Sequence, residues 1–254
     1  MDNANVTSRG LQYDRRYMLV DDNNTFITQR IQPGMTLLRT AIEESELIVY
    51  HKSSIAERLY LPLIPELSSA TVRVNIWDDV CEAQYVSGEA DKWFSNKLNI
   101  SCRLVYMPES TKRKVDHSYA IDNDISSFAD DYHILLIGES SLEDLNSRLE
   151  EPLPMDRFRP NFVMKGGIPY EEDTMEQFSI NGINFYGVKL CSRCVVTTTD
   201  QDTGTRGREP MKTLATYRGI NNKVLFGQNV LCGGAGMINI GDEIRVIKTK
   251  PALI

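Results

Sequence analysis

Short apolar runs, separated by turn-forming residues, recur along this chain and limit the folds that it can adopt. Tyr17–Val20 ends at an Asp-Asp-Asn-Asn turn and residues 25–28 follow, which predicts a β-hairpin. Residues 46–50 and 59–63 predict a second pair of strands, and residues 134–137 predict a buried strand. Many short strands favour closed or partly closed barrels, so the chain is predicted to be mainly β.

A few segments have helical features instead. Apolar residues recur at helical spacing between residues 87 and 98, which predicts an amphipathic helix. Ser140 or Ser141 is predicted to cap a second helix, with acidic residues in its first turn. Residues 209–217 predict a third helix. The fold class is therefore mainly β (α+β) with a few short helices.

Charge and composition exclude several classes of protein. The formal net charge of the 254 residues is -7 and the pI is about 5.1, which argues against nucleic acid as a partner because phosphate backbones require surplus Lys and Arg. No apolar run approaches the roughly 18 residues of a membrane-spanning helix, and the N-terminus has no signal-peptide pattern. Five cysteines are an odd number, which does not indicate a secreted disulfide framework. We expect a cytoplasmic protein without a membrane partner.

The segment Cys191-Ser192-Arg193-Cys194 is the feature most specific for chemistry. A zinc site needs four ligands, and too few cysteines and histidines remain elsewhere to complete one. A thioredoxin-like pair needs a helix that begins at the first cysteine, whereas the β-branched run after Cys194 predicts a strand. A single-thiolate site is left, with Arg193 and Lys189 as cations that favour the thiolate. Two ordinary buried cysteines on a strand explain the spacing equally well.

Clustered arginines indicate possible anion-binding loops. Arg9, Arg15 and Arg16 surround one glycine in an otherwise acidic chain, and guanidinium groups bind phosphate through two parallel hydrogen bonds. A solvated charged loop is the commoner explanation. Arg159 and Asn161 precede a predicted strand and offer hydrogen-bond donors to an anionic or heterocyclic ligand, although taken alone this pattern is weak.

Gln228 and Asn229 are polar residues between apolar ones, directly after Gly227. They are expected either to form buried hydrogen bonds at the floor of a pocket or to lie in a plain turn. The turn is the commoner of the two arrangements.

Taken in chain order, these segments resemble the MOSC family over nearly the whole chain. The motifs that carry the resemblance are residues 6–11, 14–20 and 26–30, Phe128-Ala129-Asp130, Asn161, Cys191 to Cys194, residues 202–204 and 209–218, and Phe226 to Asn229. The resemblance implies a MOSC N-terminal β-barrel domain over residues 1–107, packed on a MOSC β-barrel domain over residues 108–254.

The resemblance also implies a site and a reaction. In related reductases the second cysteine of this motif binds molybdenum, which corresponds to Cys194. The residues implied to contact the molybdenum cofactor (molybdopterin) are Arg15, Arg16, Arg159, Asn161, Ser192, Arg193 and Cys194. The implied activity is reduction of small N-hydroxylated compounds by a molybdenum-cofactor-dependent oxidoreductase. The alternative is a carrier that holds persulfide or the cofactor on Cys194 without turnover. Pyridoxal phosphate binding is a further implied property.

This chain departs from the family pattern in three ways. Family members usually begin with a strand that contains a P-x-K-S segment, so we expect either that the true start lies upstream or that the first strand of the barrel is missing. Asp131-Tyr132-His133 replaces a segment that usually reads Gly-Tyr-Pro or Thr-Ser-Pro and places an extra acid near the expected cofactor phosphate. No cysteine cluster for an iron–sulfur domain follows. Electrons are therefore expected from a separate donor, such as a ferredoxin-like protein, a flavoprotein or a cytochrome.

Overall fold

The computed structural model describes residues 2–66, 71–122 and 124–253. Two compact units make up the chain. Unit 1 consists of Met1–Asp14, Lys114–Thr198 and Gly207–Ile254, and unit 2 consists of Arg15–Arg113 and Thr199–Arg206. The compact units are discontinuous in sequence, because the first residues of the chain join the unit that holds its last residues. The domain boundary after residue 107 stays a prediction.

Strands dominate the described residues, which confirms the predicted mainly-β fold. The strands are β1 (Asn3–Thr7), β2 (Gly10–Leu11), β3 (Tyr17–Val20), β4 (Leu38–Glu43), β5 (Glu46–His51), β6 (Ser54–Pro62), β7 (Val72–Ile76), β8 (Asp79–Tyr85), β9 (Arg103–Tyr106), β10 (Arg113–Lys114), β11 (Ile125–Ser126), β12 (Ile134–Gly138), β13 (Phe162–Met164), β14 (Met175–Ile180), β15 (Ile183–Ser192), β16 (Gly219–Ile220), β17 (Lys223–Cys232), β18 (Gly236–Asn239) and β19 (Ile244–Thr249). The helices are α1 (Gly88–Leu98), α2 (Glu139–Asn146) and α3 (Met211–Ala215). None of the helices in the described residues has the length and apolar character that a helical membrane crossing requires.

Unit 1 is built on one large sheet. Its strands run in the order β13-β12-β17-β15-β14-β19, with β16 paired to β17. The neighbouring strands along this path pair antiparallel, except β12 and β13, which run parallel and are separated in sequence by α2. A smaller sheet has the order β18-β1-β2. Strands β15 and β17 are the longest in the unit at ten residues each. Strand β15 pairs with β14 over residues 183–186 and with β17 over residues 185–192, so the last residues of β15 are held by β17.

The core of unit 1 contains two separate clusters of buried side chains, and strands β12 and β17 contribute residues to both. Phe178 and Phe185 are fully buried and stack with their ring centroids 5.4 Å apart. Phe158 and Phe226 lie in a second cluster with centroids 4.5 Å apart. Burial of each such aromatic ring contributes roughly 1.5–3 kcal/mol, so the two clusters fix the sheet that supports the end of β15.

Unit 2 contains two antiparallel sheets and the predicted helix. The sheet orders are β3-β9-β8-β7 and β4-β5-β6, and the pairing of β5 with β6 confirms the predicted second pair of strands. Helix α1 begins after Ser87, whose side chain accepts a hydrogen bond from the Ala90 amide. Ala90, Phe94 and Leu98 are buried on one face, as the helical spacing predicts.

The predicted hairpin after β3 forms, although it is short. The Ile27 amide donates to the Leu19 carbonyl, the Asp21 amide donates to the Thr25 carbonyl, and residues 20 and 26 form an antiparallel bridge. Strand β3 also pairs with β9, a partner that the local sequence did not predict.

The predicted cap of the second helix was wrong. Helix α2 begins after Gly138 without a side-chain cap. Ser141 lies inside this helix, and its hydroxyl donates to Glu172, 31 residues further along the chain. Local sequence does not reveal such a long-range partner.

Candidate functional site

The Cys191–Cys194 segment lies where β15 ends. Two bulges distort the pairing of β15 with β17 close to this end, between Gly187 and Lys189 and between Leu190 and Ser192. The run after Cys194 is a 3₁₀ turn (Val195–Thr198) rather than the predicted strand. The threonine hydroxyls explain this difference: Thr197 donates to the Cys194 carbonyl at 2.9 Å, in the way that threonine competes with strand pairing.

The two cysteines of this segment have different surroundings. The Arg193 Nη1 donates a hydrogen bond to the Cys191 Sγ at 3.1 Å, and Arg193 Nη2 donates to the Phe158 carbonyl at 2.7 Å. Cys194 is equally half-buried, but no residue that the structure describes makes a hydrogen bond to its sulfur. The asymmetry between the two thiols is a finding of the structure, since their spacing alone leaves them equivalent.

Arg193 also connects two segments that the sequence singled out. Its guanidinium holds the Phe158 carbonyl, and the next residue is Arg159. Arg159 is exposed and has a φ of 56°, a left-handed backbone conformation that is uncommon outside glycine and asparagine. The cofactor roles of Arg193 and Arg159 stay predictions, but their segments are joined within one unit.

The side chain of Asn161 is engaged by the protein itself. Its Oδ1 accepts a hydrogen bond from the Leu135 amide at 3.1 Å, and its Nδ2 donates to the Asp14 Oδ2 at 3.1 Å. The backbone amide of Asn161 donates to the Leu135 carbonyl. These contacts fix the segment that carries Arg159, so Asn161 has a supporting role in addition to the predicted cofactor contact.

The N-terminal arginines are divided between the two units. Arg9 belongs to unit 1 and is buried, which excludes a solvated loop at that position. Arg15 and Arg16 belong to unit 2. Arg15 has a φ of 49°, and Arg16 is buried, with Nε donating to the Met107 carbonyl at 3.1 Å and Nη1 donating to Glu109. Arg16 thereby supports the loop that carries Arg15, and contact of either residue with a cofactor stays a prediction.

The Asp131-Tyr132-His133 segment places its histidine in the core. His133 Nδ1 accepts a hydrogen bond from the Cys232 amide at 3.1 Å, so its Nε2 carries the proton and donates to the Ile125 carbonyl at 2.9 Å. Burial is the main cause that lowers the pKa of His133. This histidine is therefore a neutral structural residue. No group of three or more His, Cys, Asp or Glu in the described residues is arranged to hold a metal ion.

Gln228 lies in the middle of β17, so the predicted turn is wrong. Its side chain is fully buried, and neither Oε1 nor Nε2 has a hydrogen-bond partner among the described residues. A Cβ at Gly187 would lie 2.6 Å from the Gln228 Nε2, so the glycine on the neighbouring strand makes room for this side chain. Asn229 is half-buried beside it.

Sequence reasoning missed a cluster of buried charges in unit 1. Arg218 and Asp173 form an ion pair in which both side chains are almost fully buried. Glu172 is fully buried and accepts hydrogen bonds from the Gly138 amide at 3.1 Å and the Ser141 hydroxyl at 2.8 Å. Burial raises the pKa of Glu172, and these two donors oppose that rise. Nothing in the sequence separates these residues from surface charges, since their burial depends on packing between distant segments.

Comparisons with known proteins place the chain in a family. The model described as MOSC N-terminal beta barrel domain matches residues 1–101, and the model described as MOSC domain matches residues 123–245. The chain belongs to the MOSC-domain proteins, which confirms the resemblance found in the sequence.

Individual proteins similar to this chain show which members of the family it is related to. Mitochondrial amidoxime-reducing component 1 of Mus musculus is 30% identical over 261 residues, which cover 96% of this chain and 76% of that protein. Molybdenum cofactor sulfurase of Oryza sativa subsp. japonica is 32% identical over 240 residues, covering 87% of this chain and 29% of that protein. Among solved structures, YiiM from Geobacillus stearothermophilus has a TM-score of 0.35 and 13% identity, with 46% of this chain and 55% of that chain covered. The chain is thus related to amidoxime-reducing components and to molybdenum cofactor sulfurases, of which it spans less than a third.

Proposed function

We propose that this chain binds a molybdenum cofactor through Cys194 and acts as an oxidoreductase that reduces small N-hydroxylated compounds. The observation that carries the proposal is the asymmetry of the two thiols. Arg193 donates a hydrogen bond to the sulfur of Cys191, whereas the sulfur of Cys194 has no hydrogen-bond partner among the described residues. A half-exposed thiol without a protein partner is available to a soft metal such as molybdenum.

The donor set near the end of β15 fits such a group. Cys194 would supply the thiolate ligand, and the exposed Ser192 and Arg159 would contact the cofactor from the same unit. Arg193 and Asn161 would act mainly through the chain, since their side chains hold the segments that carry those groups. Such supporting contacts orient metal ligands and affect affinity nearly as much as the ligands do.

Arg15 and Arg16 are further residues that we propose for cofactor binding. An arginine guanidinium binds a phosphate through paired charge-assisted hydrogen bonds, and the terminal phosphate of the pterin is the group that we assign to Arg15. Arg16 holds the Met107 carbonyl and Glu109 and thereby fixes its neighbour. The bound cofactor would supply two-electron oxo-transfer chemistry, while the chain positions it and limits access to it.

The proposal is tested by metal analysis of the full chain purified from a host that makes the cofactor. We expect about one molybdenum per chain and a loss of at least about tenfold in Cys194→Ser. Cys232→Ser, which alters a buried cysteine of the same unit, is the matched control and should retain the metal. Unchanged molybdenum in Cys194→Ser would overturn the assignment of the ligand.

Turnover is tested separately, because related proteins include both reductases and sulfurases. The loaded chain should reduce an amidoxime or an N-hydroxylated base when a chemical reductant or a separate electron-donor protein is supplied. The donor is proposed to be a ferredoxin-like protein, a flavoprotein or a cytochrome. Molybdenum without reduction of any such compound would favour the carrier alternative, and so would sulfur released by cyanide from Cys194 without molybdenum. Pyridoxal phosphate binding and a cytoplasmic location stay predictions.

A further inference from the structure

Cys191 lies beside one cation, and a second cation is close to it in sequence. Arg193 Nη1 donates to its sulfur at 3.1 Å, and this guanidinium is kept in place by the Phe158 carbonyl and by the face of the Phe158 ring, 5.5 Å from its centroid. Lys189 lies two residues before Cys191 on the same strand. The bulge between Leu190 and Ser192 interrupts the strand alternation at Cys191. Tyr132 connects the two instead, since it lies close to Lys189 and within electrostatic reach of Cys191.

Two tyrosines border the same region. The Lys189 ammonium lies 4.5 Å from the ring centroid of Tyr119 and 5.7 Å from that of Tyr132, and the two rings meet edge to face. Tyr132 is more than nine-tenths buried, and no residue in the described part of the chain makes a hydrogen bond to its hydroxyl. The pKa of Tyr132 is raised mainly by burial, and the charges of neighbouring groups add to that rise, in decreasing order Asp131, Tyr119, Asp116 and Cys191. The hydroxyl therefore lies within electrostatic reach of the thiol.

This arrangement combines a nucleophile, positive charge and apolar surface. Adjacent cations stabilise a thiolate, which is the reactive form of cysteine. The same cations attract an anionic reagent, and aromatic rings next to them offer contact area to an apolar or aromatic group. Half-exposure of Cys191 leaves its sulfur accessible to a small molecule.

We propose that Cys191 is a modification site that reacts by thiol–disulfide exchange with small anionic disulfides, and that it is distinct from the proposed metal ligand Cys194. The Cys191 thiolate attacks one sulfur of the disulfide and forms a new S–S bond. The original S–S bond breaks, and the other half leaves as a thiolate with the bonding electron pair. The disulfide is the only oxidant required. The inference does not depend on molybdenum.

The other three cysteines serve as internal controls, because they are expected to react slowly. Cys81, Cys102 and Cys232 are buried, and burial raises the pKa of each thiol, to about 12 for Cys232. Thiols of this kind react slowly because they are neutral and shielded. In Cys194→Ser, Cys191 is the one half-exposed cysteine in the described residues.

The experiment follows the full chain and its Cys194→Ser variant with Ellman's reagent, a dianionic aromatic disulfide, and with neutral hydroxyethyl disulfide. Rates are measured under pseudo-first-order conditions relative to free cysteine, and mass spectrometry locates the modified peptide. We expect Cys191 to be modified first in both proteins, with a relative preference for the anionic reagent of about tenfold. Modification of Cys194 before Cys191 in the parent chain would overturn the proposal.

Variants of the two cations test the cause of the reactivity. In the Cys194→Ser background, Arg193→Gln and Lys189→Gln should each lower the rate with Ellman's reagent by about threefold or more, and reduce the preference over the neutral disulfide. Lys165→Gln removes the same charge from an exposed position and should leave both rates unchanged. If Arg193→Gln does not fold, the modification rates of Lys189→Gln test the proposal on their own. Equal rates in Lys189→Gln and Lys165→Gln would contradict the proposal.

Discussion

The end of β15 and the interior around Asp173 lie in the same unit but use their polar groups in opposite ways. Around Asp173 most buried polar atoms have partners inside the protein: Arg218 binds the Asp173 carboxylate and Glu172 accepts two hydrogen bonds, although the Asp173 Oδ1 has no partner among the described residues. At the end of β15 the sulfur of Cys194 has no hydrogen-bond partner among the described residues.

The difference distinguishes stabilisation of the fold from binding of a ligand. Buried charges that find their partners within the chain act on stability, because each would be costly to leave unpaired. Accessible groups whose donors or acceptors are unused act on what the protein binds. Changes near Asp173 should therefore affect unfolding, whereas changes at Cys191 or Cys194 should affect ligand chemistry with little effect on unfolding.

The largest effect is expected from Arg218→Met, which leaves the Asp173 carboxylate buried without its cation. Breaking one side of a buried ion pair costs about 3–5 kcal/mol of unfolding free energy, measurable by urea denaturation. Arg148→Met is the matched control, since Arg148 pairs with Asp144 at the surface, where solvent screening makes the contribution of an ion pair much smaller. Equal losses of unfolding free energy in the two variants would show that the buried Arg218–Asp173 pair stabilises the fold no more than a surface pair does.

Gln228→Met tests whether a buried polar side chain of β17 belongs to the stabilising interior or to the ligand-binding region. The buried amide of Gln228 has no partner among the described residues, and an apolar side chain of similar length removes that cost. We expect a gain of about 1–2 kcal/mol in unfolding free energy for the ligand-free chain. A loss of similar size would mean that an ordered water or a bound group completes the hydrogen bonds of Gln228, which would place it with the ligand-binding region.

His133 adds a pH-dependent element to the interior of unit 1. Its pKa is lowered in the folded chain, mainly by burial, so the unfolded chain binds the proton more tightly. Its contribution to stability is therefore complete above the ordinary histidine pKa of about 6.5 and is lost as the pH falls through that value. The slope is at most about 1.4 kcal/mol per pH unit.

Urea denaturation between about pH 5 and pH 8 measures this contribution of His133. His133→Gln should flatten the pH dependence over that range, whereas His117→Gln, at an exposed position, should leave it as in the parent chain. If unfolding free energy depends on pH with the same slope in the parent and in His133→Gln, His133 does not cause the pH dependence.

The smallest effect compares a real helix cap with a predicted one. Ser87 accepts the Ala90 amide at the start of α1, so Ser87→Ala should cost about 1 kcal/mol. Ser140 lies inside α2 without a capping contact, and its hydroxyl is buried without a partner among the described residues, so Ser140→Ala should leave stability unchanged or raise it slightly. Thermal unfolding of both variants checks the difference. An equal cost at Ser140 would restore the capping role that the sequence predicted.

Local pattern was sufficient to predict α1, the pairing of β5 with β6 and the buried strand β12, because periodicity and turn residues act within each element. It did not predict the pairing of β3 with β9, and it was wrong at the start of α2, where a serine expected to cap the helix donates to Glu172 instead. Pattern alone cannot specify such partners, since they depend on how the chain packs.

The candidate site shows the same division. The C-S-R-C motif and the family could be predicted from the sequence, as the matching family models confirm. The direction of the Arg193 side chain could not, because it depends on the position of the Phe158 carbonyl, 35 residues away. The direction of the Arg193 side chain determines that its hydrogen bond goes to the sulfur of Cys191 and not to that of Cys194.

The most direct test compares molybdenum in two single-serine variants prepared in parallel from the same cofactor-competent host. Cys194→Ser should lose at least about nine-tenths of the metal, whereas Cys191→Ser should keep most of it, and both should unfold at nearly the same urea concentration. Equal loss in both variants, or loss in Cys191→Ser alone, would contradict the assignment of Cys194 as the ligand.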